Sequence, residues 1–238
     1  MSSEPWMQLF PGWQKSAQPT AFDCYGNCVH ALPKMAELGY NTAIRYYDHT
    51  ANTKHLSDKI LKVDEAHQIL HKGFDIVVVY ESTNNLKYLD GEPDGHLHGK
   101  RAGLYATTTI KQPMGSAIYF AVDLDIGPHA IKSKILPYFR GVIAGMKEVC
   151  PGGIPYKVGV YGSGATCAAV HEAGLAQFYW LANATGWGGY GTFEASGRWH
   201  LKQQHTKKQN LTTRSRFAFD PNIVGKADVG QFTARDIF

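Results

Sequence analysis

The chain has 238 residues, a formal net charge of +4, 44% hydrophobic and 18% charged residues. That length can bury the core of one α/β barrel, and the composition is too ordinary for a disordered chain or a coiled coil. Mean hydropathy is −0.28, and apolar runs such as 76–80 and 117–122 fall far short of the roughly 20 residues a membrane-spanning helix needs. No Lys/Arg cluster beyond Lys207-Lys208 resembles a nucleic-acid patch, so a nucleic-acid partner is not expected.

In chain order, strands are expected at 21–24, 42–47, 75–81, 117–123, 157–162, 178–182, 200–204 and 217–220. Several are continuous apolar runs, the pattern of parallel strands covered on both faces. Helices are expected between them at 32–38, 58–71, 99–110, 130–149 and 164–173, with Gly39 and Gly73 as C-terminal stops. The segment 90–99 reads as a long loop, and the last two units are thin in helix: 186–198 is rich in Gly and aromatics, 207–214 is polar. Eight strands in 238 residues give about 30 residues per unit, the length of a β-α repeat. The order predicts an α/β fold, a single (β/α)8 TIM-like barrel irregular in its last units, over 21–238 after an N-terminal extension at 1–20.

The active site of such a barrel lies at the C-terminal ends of its strands. Asp23 ends the first, Glu81 the third, Asp123 the fourth with Asp125 two further on, and Asp220 the eighth. With period-two alternation Asp123 and Asp125 point to one side if the strand continues that far. Converging carboxyls push one another's pKa values apart, leaving one protonated and another ionised, which glycoside hydrolysis requires. A single Asp at a strand end is more often a helix cap, and several carboxylates also suit Mg²⁺ or Ca²⁺. The aromatics Tyr46, Tyr47, Tyr80, Tyr119, Tyr161, Trp180 and Trp187 near strand ends and loops favour sugar over bare metal, because flat apolar faces suit pyranose rings.

Weaker signals are read conservatively. Cys24, Cys28 and His30 have a poor zinc spacing, and all four cysteines are expected to be free or packed thiols. Gly162-Ser163-Gly164 lacks the full nucleophile-elbow pattern and reads as a tight turn. His96 and His98 read as solvated loop residues, and 186–191 as a flexible aromatic loop able to act as a lid.

The motif order Phe22-Asp23, Ala43-Ile44-Arg45-Tyr46-Tyr47, Val79-Tyr80-Glu81, Ala117 through Asp123, Gly159-Val160-Tyr161-Gly162-Ser163-Gly164 and Trp180-Leu181-Ala182 resembles the DUF1906, Rv2525c-like, glycoside hydrolase-like family over about 21–232. More distantly the chain is similar to the family 25 lysozymes. There the resemblance matches Asp23 to a first-strand Asp, Asp123 and Asp125 to a strand-four acidic pair, and Asp220-Pro221-Asn222 to a last-strand D-x-N. The lysozymes carry D-x-E where this chain has Asp123-Leu124-Asp125, and an Asp is one methylene shorter than the general-acid Glu.

The resemblance implies a peptidoglycan hydrolase of muramidase type, with a glycan polymer as substrate and no cofactor. Expected catalytic residues are Glu81 as first choice of proton donor, Asp125 as second, Asp123 as stabiliser and Asp23 shaping the charge; Tyr47, Tyr80, Tyr119, Tyr161, Trp180 and Asp220 are expected to bind substrate. The alternatives are a carbohydrate-binding barrel without turnover and a metal-dependent hydrolase. Glu4 stands where a signal peptide wants basic residues, and no apolar stretch follows. The expectation is therefore cytoplasmic synthesis and release by lysis or a dedicated secretion system, with an immunity or delivery protein as a further partner.

Overall fold

The computed structural model describes residues 20–47, 59–82, 86, 89–149, 156–213 and 215–237. Among the described residues nine strands form one sheet: β1 (Thr20–Asp23), β2 (Tyr40–Tyr47), β3 (Asp75–Tyr80), β4 (Ala117–Val122), β5 (Lys157–Gly162), β6 (Phe178–Leu181), β7 (Leu201–Gln203), β8 (Lys207–Asn210) and β9 (Arg216–Val224). From β1 to β7 each pairs in parallel with the next. β9 then inserts antiparallel between β7 and β1 and closes an eight-stranded barrel. The expected barrel is therefore present, with its eighth strand inverted. The polar stretch read as thin in helix supplies β8, which pairs antiparallel with β9 alone and turns the chain around. Residues 150 and 214, including Cys150, lie outside the described residues, as does most of the N-terminal extension.

Side-chain alternation separates two apolar layers. Inward-facing Ala21, Ile44, Val77, Val79, Tyr119, Ala121, Phe178, Trp180 and Leu201 fill the barrel. Outward-facing Phe22, Ala43, Tyr47, Val78, Tyr80, Phe120 and Val160 pack under the helices. Those helices are α1 (Leu32–Glu37), α2 (Val63–His71), α3 (Glu92–Leu104), α4 (Pro128–Ala130), α5 (Leu136–Val149), α6 (Gly164–Glu172) and α7 (Tyr190–Ala195), with π-helical turns at Tyr105–Ile110 and Ile131–Ile135. Residue 58, the expected start of the second helix, lies outside the described residues.

The expected loop at 90–99 is instead the first half of α3. Its glycines misled the reading because they are its packing surface. A Cβ on Gly95 would land on the Tyr138 carbonyl oxygen and one on Gly99 on that of Val142. From the other side, Cβ atoms on Gly141 and Gly145 would land on the carbonyls of Glu92 and His96. Two helices meet here backbone to backbone, which small residues at four-residue spacing permit. His98, read as solvated, is therefore buried, with Nδ1 3.1 Å from the Tyr138 hydroxyl, while His96 pairs with Glu148 at 2.9 Å. No described helix is long and apolar enough to cross a membrane.

Candidate active site

Alternation along the strands carries a polar layer onto the barrel's C-terminal mouth. Counting outward from the core, β1 ends in Asp23, β2 brings Tyr46, β3 leads to Glu81, β4 to Asp123, β5 brings Tyr161 and β7 Gln203. β9 reaches the same level in mid-strand, because its inverted direction sets Asp220 opposite Asp23. These residues, with Trp180, Lys59, Cys24, Tyr25, Thr206 and Ala218, line one cavity of about 380 Å³, within the size range of small-ligand sites.

Asp23 is the most enclosed of the acids lining the cavity, 2% exposed. Tyr46 Oη donates to its Oδ1 at 3.0 Å, Gln203 Nε2 to its Oδ2 at 3.2 Å and Asn222 Nδ2 to its Oδ2 at 2.7 Å. Asn222 is itself oriented by Trp180, whose indole N–H donates to Asn222 Oδ1 at 2.7 Å. Burial drives the Asp23 pKa up to about 7; the Asn222 hydrogen bond opposes the shift and the charge of Asp220 adds to it. Gln203 Nε2 also lies 3.4 Å from Asp220 Oδ2, while Asp220 Oδ1 is buried with no hydrogen-bond partner among the described residues.

The second half of the site is a carboxyl pair of unequal surroundings. Glu81 is held by Lys59 at 2.7 Å, and the Lys59 ammonium also stands 4.5 Å from the centre of the Tyr46 ring, a favourable cation–π arrangement. Among the described residues Asp123 forms no ion pair. Burial first, and the negative charge of Glu81 second, raise its pKa above the ordinary carboxylate value, with Tyr161 and Lys59 pulling the other way. The Tyr161 hydroxyl donates to Gln203 Oε1 at 2.9 Å and lies 3.4 Å from Asp123 Oδ1. Gln203 thus links both halves of the site.

Several expected site residues stand elsewhere. β4 ends at Val122, and the Leu124 N–H turns back onto the Val122 carbonyl at 2.9 Å, so the period-two continuation to Asp125 fails. Asp125 is not among the residues lining the cavity, and its Oδ1 accepts from Gly188 N–H at 2.9 Å. Tyr47 and Tyr80 face outward into the layer under the helices, and the Tyr47 hydroxyl donates to Gln112 Oε1 at 2.9 Å. Tyr119 faces inward but sits at the barrel floor, donating to the Val229 carbonyl at 2.9 Å. Of the expected sugar-facing aromatics, Tyr46, Tyr161 and Trp180 line the cavity.

Lys59 and Gln203 were missed from the sequence. Alternation in Leu201-Lys202-Gln203 carries the signal that Gln203 faces inward; Lys59 comes from a loop and carries none.

The weaker motifs resolve structurally. Ser163 is the N-cap of α6, its Oγ accepting from Thr166 N–H at 3.1 Å. A Cβ on Gly164 would meet the Gly189 carbonyl, so the aromatic segment at 186–190 is packed onto α6. Cys24, Cys28 and Cys167 are buried free thiols. Behind Cys24, the fully buried Arg45 donates to Glu65 Oε1 at 2.8 Å and to the Cys24 carbonyl at 2.7 Å, fixing the turn that leads from β1 to the cavity rim. Among the described residues no group of three or more His, Cys, Asp or Glu is arranged to hold a metal ion.

A closed barrel with a carboxylate-lined mouth places the chain among the glycoside hydrolase-like barrels. More specifically, residues 34–224 match the Rv2525c-like, glycoside hydrolase-like domain, and the chain belongs to that family. Two Bacillus subtilis (strain 168) relatives are the uncharacterized proteins YbfG, 28% identical over 69% of this chain and 23% of that protein, and FadG, 26% identical over 72% and 29%. The chain thus spans about a quarter of the length of these curated relatives.

Among solved structures, the Mycobacterium tuberculosis Tat-secreted protein Rv2525c, in complex with L-tartrate, superposes with a TM-score of 0.69 at 25% identity, covering 90% of this chain and 99% of that one. The catalytic domain of endolysin ply40 from bacteriophage P40 of Listeria monocytogenes shares the fold, with a TM-score of 0.52 at 11% identity over 91% and 97%.

Proposed function

We propose that this chain is a glycosidase that cleaves a β-1,4-linked amino-sugar polymer of the peptidoglycan type. The observation that carries the reading is one cavity holding two carboxyls in unequal surroundings, Asp123 with its pKa raised by burial and by Glu81, and Glu81 ion-paired with Lys59. A protonated carboxyl facing an ionised one is the pairing glycoside hydrolysis uses. On this reading the roles of Glu81 and Asp123 are exchanged relative to those expected from the sequence. Asp123 donates the proton to the leaving oxygen, and Glu81, held by Lys59, stabilises positive charge at the anomeric carbon or activates the water that attacks it. Asp23, Asn222 and Gln203 hold the wall against which the sugar is oriented. Tyr161 and Trp180 offer aromatic surface. The Tat-secreted Rv2525c and the ply40 catalytic domain support action on a cell wall outside the cytoplasm.

The test is release of reducing ends from purified cell wall by the wild type beside Glu81→Gln and Asp123→Asn. Loss of about 10²–10⁴-fold in both is expected for removal of a general acid or its partner; wild-type turnover in both variants sinks the assignment.

One observation favours a binding barrel instead. The lysozyme-like acid position, Asp125, is tied to Gly188 rather than turned into the cavity. Saturable glycan binding with no product would select that reading.

A further inference from the structure

The β8–β9 hairpin stands above the barrel mouth, because β9 residues before Asp220 extend past the end of β1. Its two faces differ. Phe217 and Phe219 are buried and pack edge-on against Phe22, while Phe219 meets Tyr40 and Phe217 meets His30. The opposite face is fixed from both strands. On β9, Arg216, Ala218 and Asp220 alternate with the buried Phe217 and Phe219, of which Phe219 also borders the cavity, so Arg216 lies on the face of Ala218 and Asp220; on β8 the residues paired with Ala218 and Arg216, Lys208 and Asn210, share that face. Lys208 and Arg216 are exposed, and neither forms an ion pair with a described residue. The wall of an acid-lined cavity therefore continues outward as a cationic strip.

We propose that this strip binds the anionic substituents of a carboxylate-bearing glycan whose neutral sugar ring occupies the acid cavity. The inference rests on the glycosidase reading and names its substrate class. The carboxyl-lined cavity, with Asp23, Glu81, Asp123 and Asp220 against Lys59, repels an anion, whereas the hairpin attracts one. Strand rise sets the spacing: Lys208, level with Ala218, stands about 7 Å beyond Asp220 along the strand, and Arg216 about 14 Å. The strip thus reaches a negative group carried on the sugar unit bound in the cavity or on the units next to it. Charges this exposed act through a screened field, so the preference depends on salt.

The experiment is calorimetric titration of the full chain with two soluble probes, muramic-acid-containing glycan fragments and neutral N-acetylglucosamine oligomers. The wild type and K208Q/R216Q are compared, each at low and high salt. The double variant is expected to bind the anionic probe about three- to tenfold more weakly at low salt, with unchanged affinity for the neutral one. The wild type is expected to lose the same preference at high salt without any substitution. Equal binding of the anionic probe by both proteins, or a preference that salt does not reduce, overturns the strip and leaves the glycosidase reading intact. Binding of neither probe by the wild type overturns both.

Discussion

Asp23 and Asp220 stand directly opposite each other across the β1–β9 pairing, although they are separated by nearly the whole described chain. Opposed residues of an antiparallel pair put their side chains on one face, with Cβ atoms about 4.5–5.5 Å apart. The Gln203 amide reaches an oxygen of each carboxyl.

This pair predicts a pH-dependent stability. The Asp23 pKa rises from 3.8 to about 7, so between those values the folded protein holds a proton that the unfolded chain has released. Stability from this group is full below about pH 4, falls as pH rises towards 7, and is flat beyond, a loss of up to roughly 4 kcal/mol. Asp23→Asn removes that component. Urea unfolding of both proteins from pH 4 to 8 should show the wild type losing ground to the variant; parallel curves would refute the assignment.

Lys59 lowers the pKa of Asp123, and Glu81 raises it. In Lys59→Gln the Asp123 carboxyl should hold its proton to higher pH, and in Glu81→Gln release it at lower pH. Carboxyl-carbon NMR titration of Asp123 reads both shifts directly. Where activity persists, the alkaline limb of the pH–rate profile should move with them, because the acid form is the donor.

Asp125 accepts from the Gly188 N–H, and the prediction is that it acts through that loop rather than as the acid. Removing its acceptor in Asp125→Ala frees Gly188 and is expected to raise KM several-fold while kcat changes little. Asp125→Asn, which retains an acceptor oxygen for the Gly188 N–H, should restore KM. A kcat collapse in both variants would return Asp125 to the acid role.

The glycine contact between α3 and α5 is expected to tolerate no added methyl. Gly99→Ala would drive a Cβ into the Val142 carbonyl, a cost of about 1–3 kcal/mol or more. Gly26→Ala, with open space around its Cβ, is the control. Thermal unfolding should separate the two by several degrees.

The barrel was legible because its strands are apolar runs that end in charge, and Asp23, Glu81 and Asp123 were found that way. Misplacements came from single-residue phase. Tyr46 faces in, so Tyr47 faces out; Glu81 turns to the mouth, so Tyr80 turns away. Tyr119 keeps the phase of Asp123, yet at strand rise it lies about 13 Å deeper, at the floor. Strand direction is absent from an apolar run, so the inversion of β9 was hidden behind a polar hairpin. In α3, glycine signalled a loop although it served as contact surface, because a residue without a side chain leaves no apolar stripe to read.

The inverted last strand also governs when the cavity comes into being. Asn222 joins Asp23 of the first strand to Trp180 of the sixth, and Asp220 and Ala218 complete the lining. The parallel strands β1 to β7 all precede β9 in the chain, and the barrel closes only where β9 pairs with both β7 and β1. Pairing over such a sequence distance is a slow, late event. The burial that raises the Asp23 pKa is therefore completed by the strand that closes the barrel. A chain stopped before residue 216 carries most of the fold's sequence but lacks the wall that tunes the acids.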